Sequence, residues 1–328
     1  MERFTYAAPR TVKDAVLELS SSGKAKVLAG GTTLVDLMKN GVERPQRLID
    51  VTGIRELSEF TIDGDELRFG ALVRMSAVAD HPEIKKRHPI LSEALWRGAS
   101  QQLRNMATLG GNVLQRTRCA YFRDPQYPCN KRQPGAGCAA IDGINRGHAL
   151  LGTSERCIAV YPGDWATALA AVDASFDAVS PRGTRTISIH DLHVEPGRTP
   201  DVEHTLAADE LIVRTRIPTQ SAYRASTYQK IRDRASYAFA LASAAVALDL
   251  QGDLVRDARI AIGGVATRPW RARDAERSLI GGRLDERAAR HAGELAYVNA
   301  HTTPQNAFRV PLGVAAVERA LMIARERA

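Results

Sequence analysis

Four cysteines in one stretch of this chain are its most distinctive candidates for chemistry. They are Cys119, Cys129, Cys138 and Cys157, separated by nine, eight and eighteen residues, and the 328-residue sequence contains no others. Thiolates bind soft metals and iron–sulfur clusters, and paired thiols form disulfides. Four thiols in one irregular segment therefore predict a shared site in a loop.

Three interpretations of these cysteines are open from their spacing alone. The short C-x-x-C pairs of a zinc ribbon or a thioredoxin site are missing. Two disulfides would suit an oxidising compartment, although a chain of this size hardly needs such staples. A structural zinc ion normally uses closer ligand pairs, whereas a [4Fe-4S] cluster accepts four thiolates at long, irregular spacing. The spacing favours the cluster and leaves two alternatives: zinc, and disulfides or free thiols.

The composition around the cysteines suits an anionic group. Eight Arg and Lys residues stand against three Asp and Glu residues between positions 101 and 160. The stretch PGAGC also provides glycines that let backbone amides turn toward sulfur. Positive charge and amide N–H groups both stabilise a negatively charged cluster–thiolate unit.

Two glycine turns are the second candidate for chemistry. KVLAGGTTLVDLM predicts a short buried strand, a turn over 30–33 and a helix, and RNMATLGGNV predicts a second turn at Gly110 and Gly111. Such turns let backbone N–H groups approach a phosphate, and a helix N-terminus adds positive potential. The two turns could clasp one diphosphate from opposite sides. Neither fits G-x-G-x-x-G or G-x-x-x-x-G-K-[ST], so two purely structural turns are the alternative on spacing alone.

The whole chain has the composition of an ordinary globular protein. Its 328 residues are 44% hydrophobic, enough for a sizeable core in two or three domains. The longest apolar run, AFALASAAVALDL, is shorter than the roughly 20 residues that span a bilayer, so we expect no membrane insertion. The net charge of +8 comes without a helix-turn-helix, zinc-finger spacing or RNA-binding aromatic motif, so we expect no nucleic-acid partner.

Helix and strand patterns alternate along the first two thirds of the chain. The first 55 residues predict a βαβ-like start, with Thr11 capping the first helix. Helical patterns follow at 90–105 and 163–179, and strand patterns at 156–162 and 209–218. After a linker at 219–226, the pattern predicts two antiparallel strands joined by a Gly-Asp turn, then three helices. We therefore predict a larger α/β part followed by a smaller α+β part.

The two glycine turns resemble a known pair of flavin-binding motifs. KVLAGGTTLVDLMK and LRNMATLGGNV are similar to the motifs of the FAD-binding medium subunit of the molybdenum hydroxylases, the xanthine dehydrogenase and carbon monoxide dehydrogenase family. Further segments resemble that family in its order: FGALVRMSAV, GDWATALAAVDA, DELIVRTRIP, YQKIRDRASYAFALASAAVAL and RIAIGGVATRPWRA. The resemblance thus covers nearly the whole chain.

This resemblance implies a fold and a division into domains. It implies an α/β (α+β) protein with a two-subdomain FAD-binding domain of the vanillyl-alcohol-oxidase/PCMH type, followed by a smaller α+β domain with an antiparallel sheet and helices. The expected FAD-binding domain covers 1–220, with subdomains of about 1–55 and 56–220 and a [4Fe-4S] loop at 115–160. The expected C-terminal flavoprotein domain covers 225–328.

The resemblance also implies which residues bind FAD. Asp164 matches a flavin-contacting aspartate, although without the resemblance its position favours an N-cap of the following helix. Thr33 stands where related sequences often have Asn, a change that keeps a donor near the phosphate. The implied set comprises the first loop, the second motif and three later positions: Lys26, Val27, Leu28, Ala29, Gly30, Gly31, Thr32, Thr33, Leu34, Thr108, Gly111, Asn112, Asp164, Ile212 and Lys230.

The cysteine stretch resembles a more particular group. CNKRQPGAGCAA and NRGHALLG are similar to the flavin subunit of the periplasmic-type aldehyde oxidoreductases, which carry an extra [4Fe-4S] cluster. The resemblance implies that this cluster is ligated by Cys119, Cys129, Cys138 and Cys157. Because the stretch interrupts the approach to Asp164, we also expect a different wall of the flavin pocket there.

The function implied is that of an electron-transfer subunit with no catalytic acid or base of its own. In this family the molybdenum cofactor belongs to a large subunit and two [2Fe-2S] clusters to a small one. FAD would pass electrons from the small subunit to an external acceptor such as dioxygen, a quinone or a ferredoxin. We expect a heterotrimeric, molybdenum-dependent aldehyde oxidoreductase. The alternative is a zinc-stabilised structural or interaction subunit without flavin.

The cellular location follows from the resemblance only indirectly. The segment MERFTYAAPRTVKDAV has no apolar core of signal-peptide length, so we expect no secretion signal in this chain. Family members of this type can be exported already folded by a twin-arginine signal on a sibling subunit. We therefore expect periplasmic location by co-export with a signal-bearing partner, with the cytoplasm as the alternative.

Overall fold

The N-terminal segment forms a small parallel sheet. The computed structural model describes residues 1–21, 23–62 and 64–328. Thr11 begins the first helix by accepting a hydrogen bond from the Asp14 N–H at 3.1 Å, as predicted. The three strands lie in the order β1-β3-β2 and all pair in parallel. The elements are β1 Thr5–Ala7, α1 Val12–Ser20, β2 Ala25–Leu28, α2 Leu34–Lys39 and β3 Arg47–Asp50.

The middle of the chain builds a five-stranded sheet covered by short helices. Its strand order is β4-β5-β8-β6-β7, and every neighbouring pair is antiparallel. A 3₁₀ turn at Arg55–Ser58 precedes it. The elements are β4 Phe60–Thr61, β5 Glu66–Gly70, α3 Met75–Ala79, α4 Pro82–Arg87, α5 Pro89–Arg97, α6 Gln101–Met106, α7 Leu109–Val113, α8 Ala120–Arg123, α9 Asp164–Ala171, β6 Ser175–Ser180, β7 Gly183–Ser188, α10 Ile189–Leu192 and β8 Leu211–Pro218.

The C-terminal segment is a four-stranded antiparallel sheet with three helices. A 3₁₀ turn at Ser221–Arg224 connects it to the middle of the chain. The strand order is β12-β11-β10-β9, and the predicted Gly-Asp turn joins β10 to β11. The elements are β9 Ser226–Ile231, β10 Ala242–Gln251, β11 Leu254–Gly263, β12 Trp270–Arg271, α11 Arg273–Leu279, α12 Glu286–Ala296 and α13 Arg309–Glu326.

Strand β10 is buried on both faces and joins the two cores. Its residues alternate between them: Ala245 packs in the core of the middle segment, whereas Ala244 and Val246 pack under the C-terminal helices. This alternation follows from the two-residue period of a strand. The C-terminal sheet is therefore fixed to the middle segment by a continuous apolar contact. Among the described residues, no helix combines the length and apolar character that crossing a bilayer requires.

Four element predictions differ from the structure. Segment 156–162 is not a strand, because its backbone bonds go to separate partners: Ile158 accepts from Ala149, and Tyr161 donates to Ala266. The helix predicted over 163–179 ends at Ala171, where Asp173 takes a φ of 50° and strand β6 follows. The helix predicted over 90–105 is broken near Ala99, also at φ 50°. The second glycine turn is itself the short helix α7.

Candidate functional site

A long cleft runs between the N-terminal sheet, the middle segment and β9. Its volume is about 1560 Å³, above the roughly 300–1,000 Å³ of most small-molecule sites. Both glycine turns, the start of α9 and the segment around His193 line it. A large ligand such as a dinucleotide suits a cleft of this size.

The first glycine turn packs directly on the residue that precedes the second. A Cβ added at Gly30 would clash with the Met106 carbonyl oxygen and approach the Ala107 Cα to 3.1 Å. Arg74 also donates to the Met106 carbonyl. Gly31 has a φ of 71°, which an L side chain rarely adopts. Only glycines allow this close approach and this turn, so the sequence at 30–31 brings the two motifs side by side.

Several backbone N–H groups of the first turn are free for a ligand. Within residues 1–21, 23–62 and 64–328, the N–H groups of Gly30, Gly31 and Thr32 donate to no other protein group. Thr33 precedes α2 without a side-chain cap bond, and its hydroxyl accepts from Arg118 at 3.5 Å. Adjacent amide donors facing a cleft form an anion-binding concavity. This is the observation that best fits a diphosphate here.

The second turn supplies a polar edge to the same cleft. Thr108 caps α7 by accepting the Gly111 N–H at 3.3 Å. The Asn112 side-chain amide donates to the Met75 sulfur at 3.3 Å. Its side-chain oxygen, Oδ1, is buried with no partner among the described residues. A buried acceptor without a partner is rare in proteins. The Asn112 side chain is therefore available to accept a bond from a ligand.

A buried ion pair closes the far wall of the cleft. The Asp164 carboxylate accepts from Lys230 Nζ at 2.8 Å and from the Tyr228 hydroxyl at 2.6 Å. Lys230 also donates to the Arg97 carbonyl at 3.1 Å, and its side chain is 1% exposed. The N-cap of α9 is Gly163, so the alternative role of Asp164 as an N-cap is wrong. Burial raises the pKa of Tyr228 well above its usual value, which keeps its hydroxyl protonated.

The structure brings the predicted FAD residues together with one exception. All of them line the cleft except Leu28, whose side chain lies beside the turn and faces Gly31. The later positions Ile212 on β8 and Lys230 on β9 reach the same cleft from other strands. The assignment of individual FAD contacts stays a prediction.

Sequence reasoning missed several residues of this cleft. Tyr228 binds Asp164, and Trp165 lines the wall with a buried indole N–H that has no partner among the described residues. The ring of His193 packs at a tilt against Tyr161, with ring centroids 4.5 Å apart. The period-2 pattern of β9 could have indicated Tyr228, which lies two positions before Lys230 and so shares its face of the strand. No local signal indicated His193.

The four cysteines lie near one another in the structure. All four are free thiols. Cys129 and Cys138 face each other across an isolated antiparallel bridge. Cys129 and Cys157 lie close enough to Cys119, and Cys138 and Cys129 close enough to Cys157, for their charges to raise its pKa. Within the described ranges, however, no three His, Cys, Asp or Glu side chains are grouped closely enough to hold a single metal ion.

Hydrogen-bond donors surround the Cys119 sulfur. Burial raises the pKa of this thiol to about 11, and the N–H groups of Phe122 and Tyr121 act in the opposite direction. His148 Nε2 lies 3.2 Å from the sulfur. Burial lowers the pKa of His148, so its ring is neutral and can donate one N–H. Donors of this kind are typical around thiolates that ligate a metal or cluster.

The cysteine stretch forms part of the cleft wall, as its position before Asp164 led us to expect. Cys157 lines the cleft together with Arg118, Arg123 and Lys131. Burial raises the pKa of the Cys157 thiol, and the positive charge of Lys131 and the Ala159 N–H partly offset this. The cleft and the cysteine stretch are thus direct neighbours.

Comparison with known proteins covers both halves of the chain. Residues 2–220 match the family described as the FAD binding domain in molybdopterin dehydrogenase, and 226–322 match the CO dehydrogenase flavoprotein C-terminal domain. The chain is 43% identical to the aldehyde oxidoreductase FAD-binding subunit PaoB of Escherichia coli (strain K12), with 100% of both chains covered. It is 28% identical to the carbon monoxide dehydrogenase medium chain of Hydrogenophaga pseudoflava, with 90% of this chain and 86% of that one covered.

A solved structure shows the same fold. Carbon monoxide dehydrogenase from Hydrogenophaga pseudoflava, in a form that lacks the Mo-pyranopterin moiety of its cofactor, superposes with a TM-score of 0.77. The two chains are 26% identical, and the match covers 100% of this chain and 99% of that one. The mixed α/β architecture and the antiparallel C-terminal sheet expected from the sequence are therefore confirmed.

Proposed function

Because the chain belongs to the FAD-binding medium subunits of the molybdenum hydroxylase family, we propose that it is the FAD- and [4Fe-4S]-binding electron-transfer subunit of a molybdenum-dependent aldehyde oxidoreductase. When bound, FAD would supply the chemistry that takes electrons from a [2Fe-2S] small subunit and releases them to an external acceptor. The molybdenum centre would lie on another chain. Family membership also goes against the alternative of a subunit without flavin.

The observation that carries the FAD assignment is the meeting of the two glycine turns. Gly30 fits against Met106 only because it has no side chain, and the N–H groups of this cleft-lining turn have no protein partner among the described residues. Thr108 holds the second turn in place, and Asn112 offers an acceptor. These groups would bind the diphosphate and orient the dinucleotide along the cleft.

The ion pair between Asp164 and Lys230 would line the flavin end of the cleft. Asp164 is neutralised by Lys230 and further bonded by Tyr228, so the carboxylate cannot rotate freely. The side chains of Lys230 and Asp164 are 1% and 10% exposed, and a buried pair of this kind is strongly coupled. These residues would position FAD and exclude water; no proton transfer is assigned to them.

Four thiolates would hold the cluster. The support is the mutual proximity of Cys119, Cys129, Cys138 and Cys157, the N–H donors around Cys119 and the basic composition of the stretch. A four-iron cluster spreads its ligands over four irons, whereas one zinc ion draws them around a single point. The four thiols of this stretch could each supply one ligand to one of the four irons.

The substrate class and the assembly are part of the same proposal. The relative that is 43% identical along its whole length is named an aldehyde oxidoreductase subunit, which supports an aldehyde as the substrate of the complex. We propose a heterotrimer with a [2Fe-2S] small subunit and a molybdenum-cofactor large subunit. The proposal includes export to the periplasm with a signal-bearing partner; fractionation of cells that co-express the subunits distinguishes this from retention in the cytoplasm.

Metal and flavin analysis of the anaerobically purified chain, co-expressed with its sibling subunits, tests this function. We expect one FAD and about four irons in this chain beyond those of the small subunit. Cys129→Ser should lose that iron while the small subunit keeps its own. Zinc without flavin, or an unchanged iron content in Cys129→Ser, would refute the proposal.

A further inference from the structure

A chain of ion pairs connects the cysteine stretch to the first FAD loop. Lys131, two residues after Cys129, lies 3.1 Å from the Glu203 carboxylate. Glu203 also pairs with Arg116. Arg116 lies 2.6 Å from Glu43, and Glu43 lies 3.7 Å from Lys26, the first residue of the predicted FAD loop. Five alternating charges thus connect the cysteines to strand β2.

Most of this network is shielded from water. The side chains of Lys131, Glu203, Arg116 and Glu43 are 10%, 22%, 21% and 11% exposed. The neighbouring positive charges of Arg116 and Lys131 hold the pKa of Glu203 below its usual range, although burial alone would raise it. Removing one partner from a shielded pair leaves the other charge poorly solvated. The geometry of each charged group therefore depends on its next partner in the series of ion pairs.

Helix α2 provides a second connection between the same two sites. Its Leu37 packs in one apolar cluster with Phe122 and Cys129. Its Asp36 carboxylate accepts from Arg123 at 2.7 Å and lies 3.4 Å from Arg118. Because α2 begins where the first glycine turn ends, a movement of the cysteine stretch would be transmitted to the FAD loop.

We propose that the cluster and FAD bind cooperatively, and that Lys131 is the positioning residue that couples them. This inference rests on the proposed function. With the cluster in place, the Cys129–Cys138 loop holds Lys131 against Glu203, and Glu203 holds Arg116 and the cleft wall in the FAD-binding geometry. Without the cluster, the loop no longer fixes Lys131, and FAD binds more weakly. Reciprocity requires that FAD also slows loss of the cluster.

A thermodynamic cycle tests this coupling. The full chain is deflavinated and titrated with FAD, with binding followed by quenching of flavin fluorescence, in the cluster-loaded and cluster-depleted forms. In the wild type, cluster removal should weaken FAD binding about tenfold. In Lys131→Met, which keeps its four cysteines, FAD should bind weakly in both forms, with less than about a twofold effect of the cluster.

Two further variants separate coupling from a merely structural role. Lys131→Arg keeps the positive charge beside Glu203 and should restore the coupling. Arg146→Met removes a cation from the same stretch whose contacts are Phe308 and, at 3.9 Å, Asp233; it should behave as the wild type. If Lys131→Met retains no iron, Glu203→Gln is titrated in its place, because it breaks the same Lys131–Glu203 pair from the glutamate side.

The outcomes separate this inference from the proposed function. A wild-type chain without iron or FAD would overturn the proposed function. Suppose instead that the wild type holds both iron and FAD, but that cluster removal weakens FAD binding by the same factor in the wild type and in Lys131→Met. That result overturns the coupling alone. The rate at which a chelator removes iron gives a check that needs no variant: added FAD should slow it in the wild type, and no effect of FAD overturns the coupling.

Discussion

Gly31 illustrates how one residue can determine whether a ligand reaches the backbone. Its φ of 71° places it in the left-handed region, the residue lines the cleft, and its N–H has no partner among the described residues. A β-branched side chain there is strained by on the order of 1–3 kcal/mol. Its Cβ would also lie 3.3 Å from the Val35 side chain, so the turn would have to shift.

We predict that Gly31→Val lowers FAD affinity at least about tenfold, because relaxing the strain moves the free N–H groups. The measurement is the FAD titration of the deflavinated chain. Gly252→Val is the matched control, since Gly252 has a φ of 60° in the β10–β11 turn, with open space around it. Equal FAD affinity in both variants would show that the first turn does not bind the diphosphate.

His193 makes the cleft wall sensitive to acid. Burial lowers its pKa to about 3, and the nearby charge of His204 acts in the same direction. In the unfolded chain this histidine binds a proton near pH 6.5. Below that pH the unfolded state binds more protons than the folded state, so stability falls as the pH drops from 6.5 toward 3.

We predict that His193 accounts for about 2 kcal/mol of the stability lost between pH 8 and pH 5. His193→Asn, which cannot titrate, should show a correspondingly smaller loss. The measurement is the free energy of urea unfolding at the two pH values. The same loss in the variant and in the wild type would contradict the assignment.

At the scale of elements, local sequence signals correctly predicted the helix caps and turns whose backbone geometry is set by adjacent residues. The Thr11 cap and the Gly-Asp turn at 252–253 depend on neighbours in sequence, and both occur as expected. The helix predicted over 163–179 was half wrong, because DASFDAV continues the apolar pattern although it pairs as β6 with β7 and β8. Strand pairing with distant segments decided that boundary.

The cysteine stretch also combines a correct local prediction with an incorrect one. Its composition indicated a metal-type site, but the segment after Cys157 does not form the predicted strand. Ser154 accepts the N–H groups of Arg156 and Cys157 at 3.2 Å, which turns the chain locally. The turn then allows Tyr161 to donate to Ala266 of the C-terminal segment. An irregular element is positioned by such separate bonds, which no periodicity reveals.

At the scale of the whole molecule, Arg309 fastens the cysteine stretch to the C-terminal sheet. Its guanidinium donates to the carbonyls of His148 at 2.6 Å, of Leu241 at 2.7 and 2.9 Å, and of Gly264. The residue is 1% exposed, and burial lowers its pKa to about 10. One side chain thus satisfies acceptors from three separate parts of the chain.

We predict that Arg309→Met destabilises the protein by on the order of 3 kcal/mol, because three buried carbonyls lose their donor. The urea midpoint of the full chain measures this. Arg283→Met is the control: Arg283 is 80% exposed and pairs with Asp253 at 2.8 Å, and surface pairs contribute about 0–1 kcal/mol. Similar midpoints for the two variants would contradict the role of Arg309.

The sequence by itself determined the parts of this protein that depend on a few adjacent residues. Glycines that permit a positive φ, helix caps and the group of four thiols are local. They indicated turns that could bind a phosphate and a shared cysteine site, and the resemblance to a family then implied flavin. Only the tertiary structure decided that Gly30 packs on Met106, that Tyr228 and Lys230 bind Asp164, and that Lys131 reaches Glu203. Those partners are far apart along the chain, and their contacts arise from how strands and loops cross in the packed molecule, which local pattern does not encode.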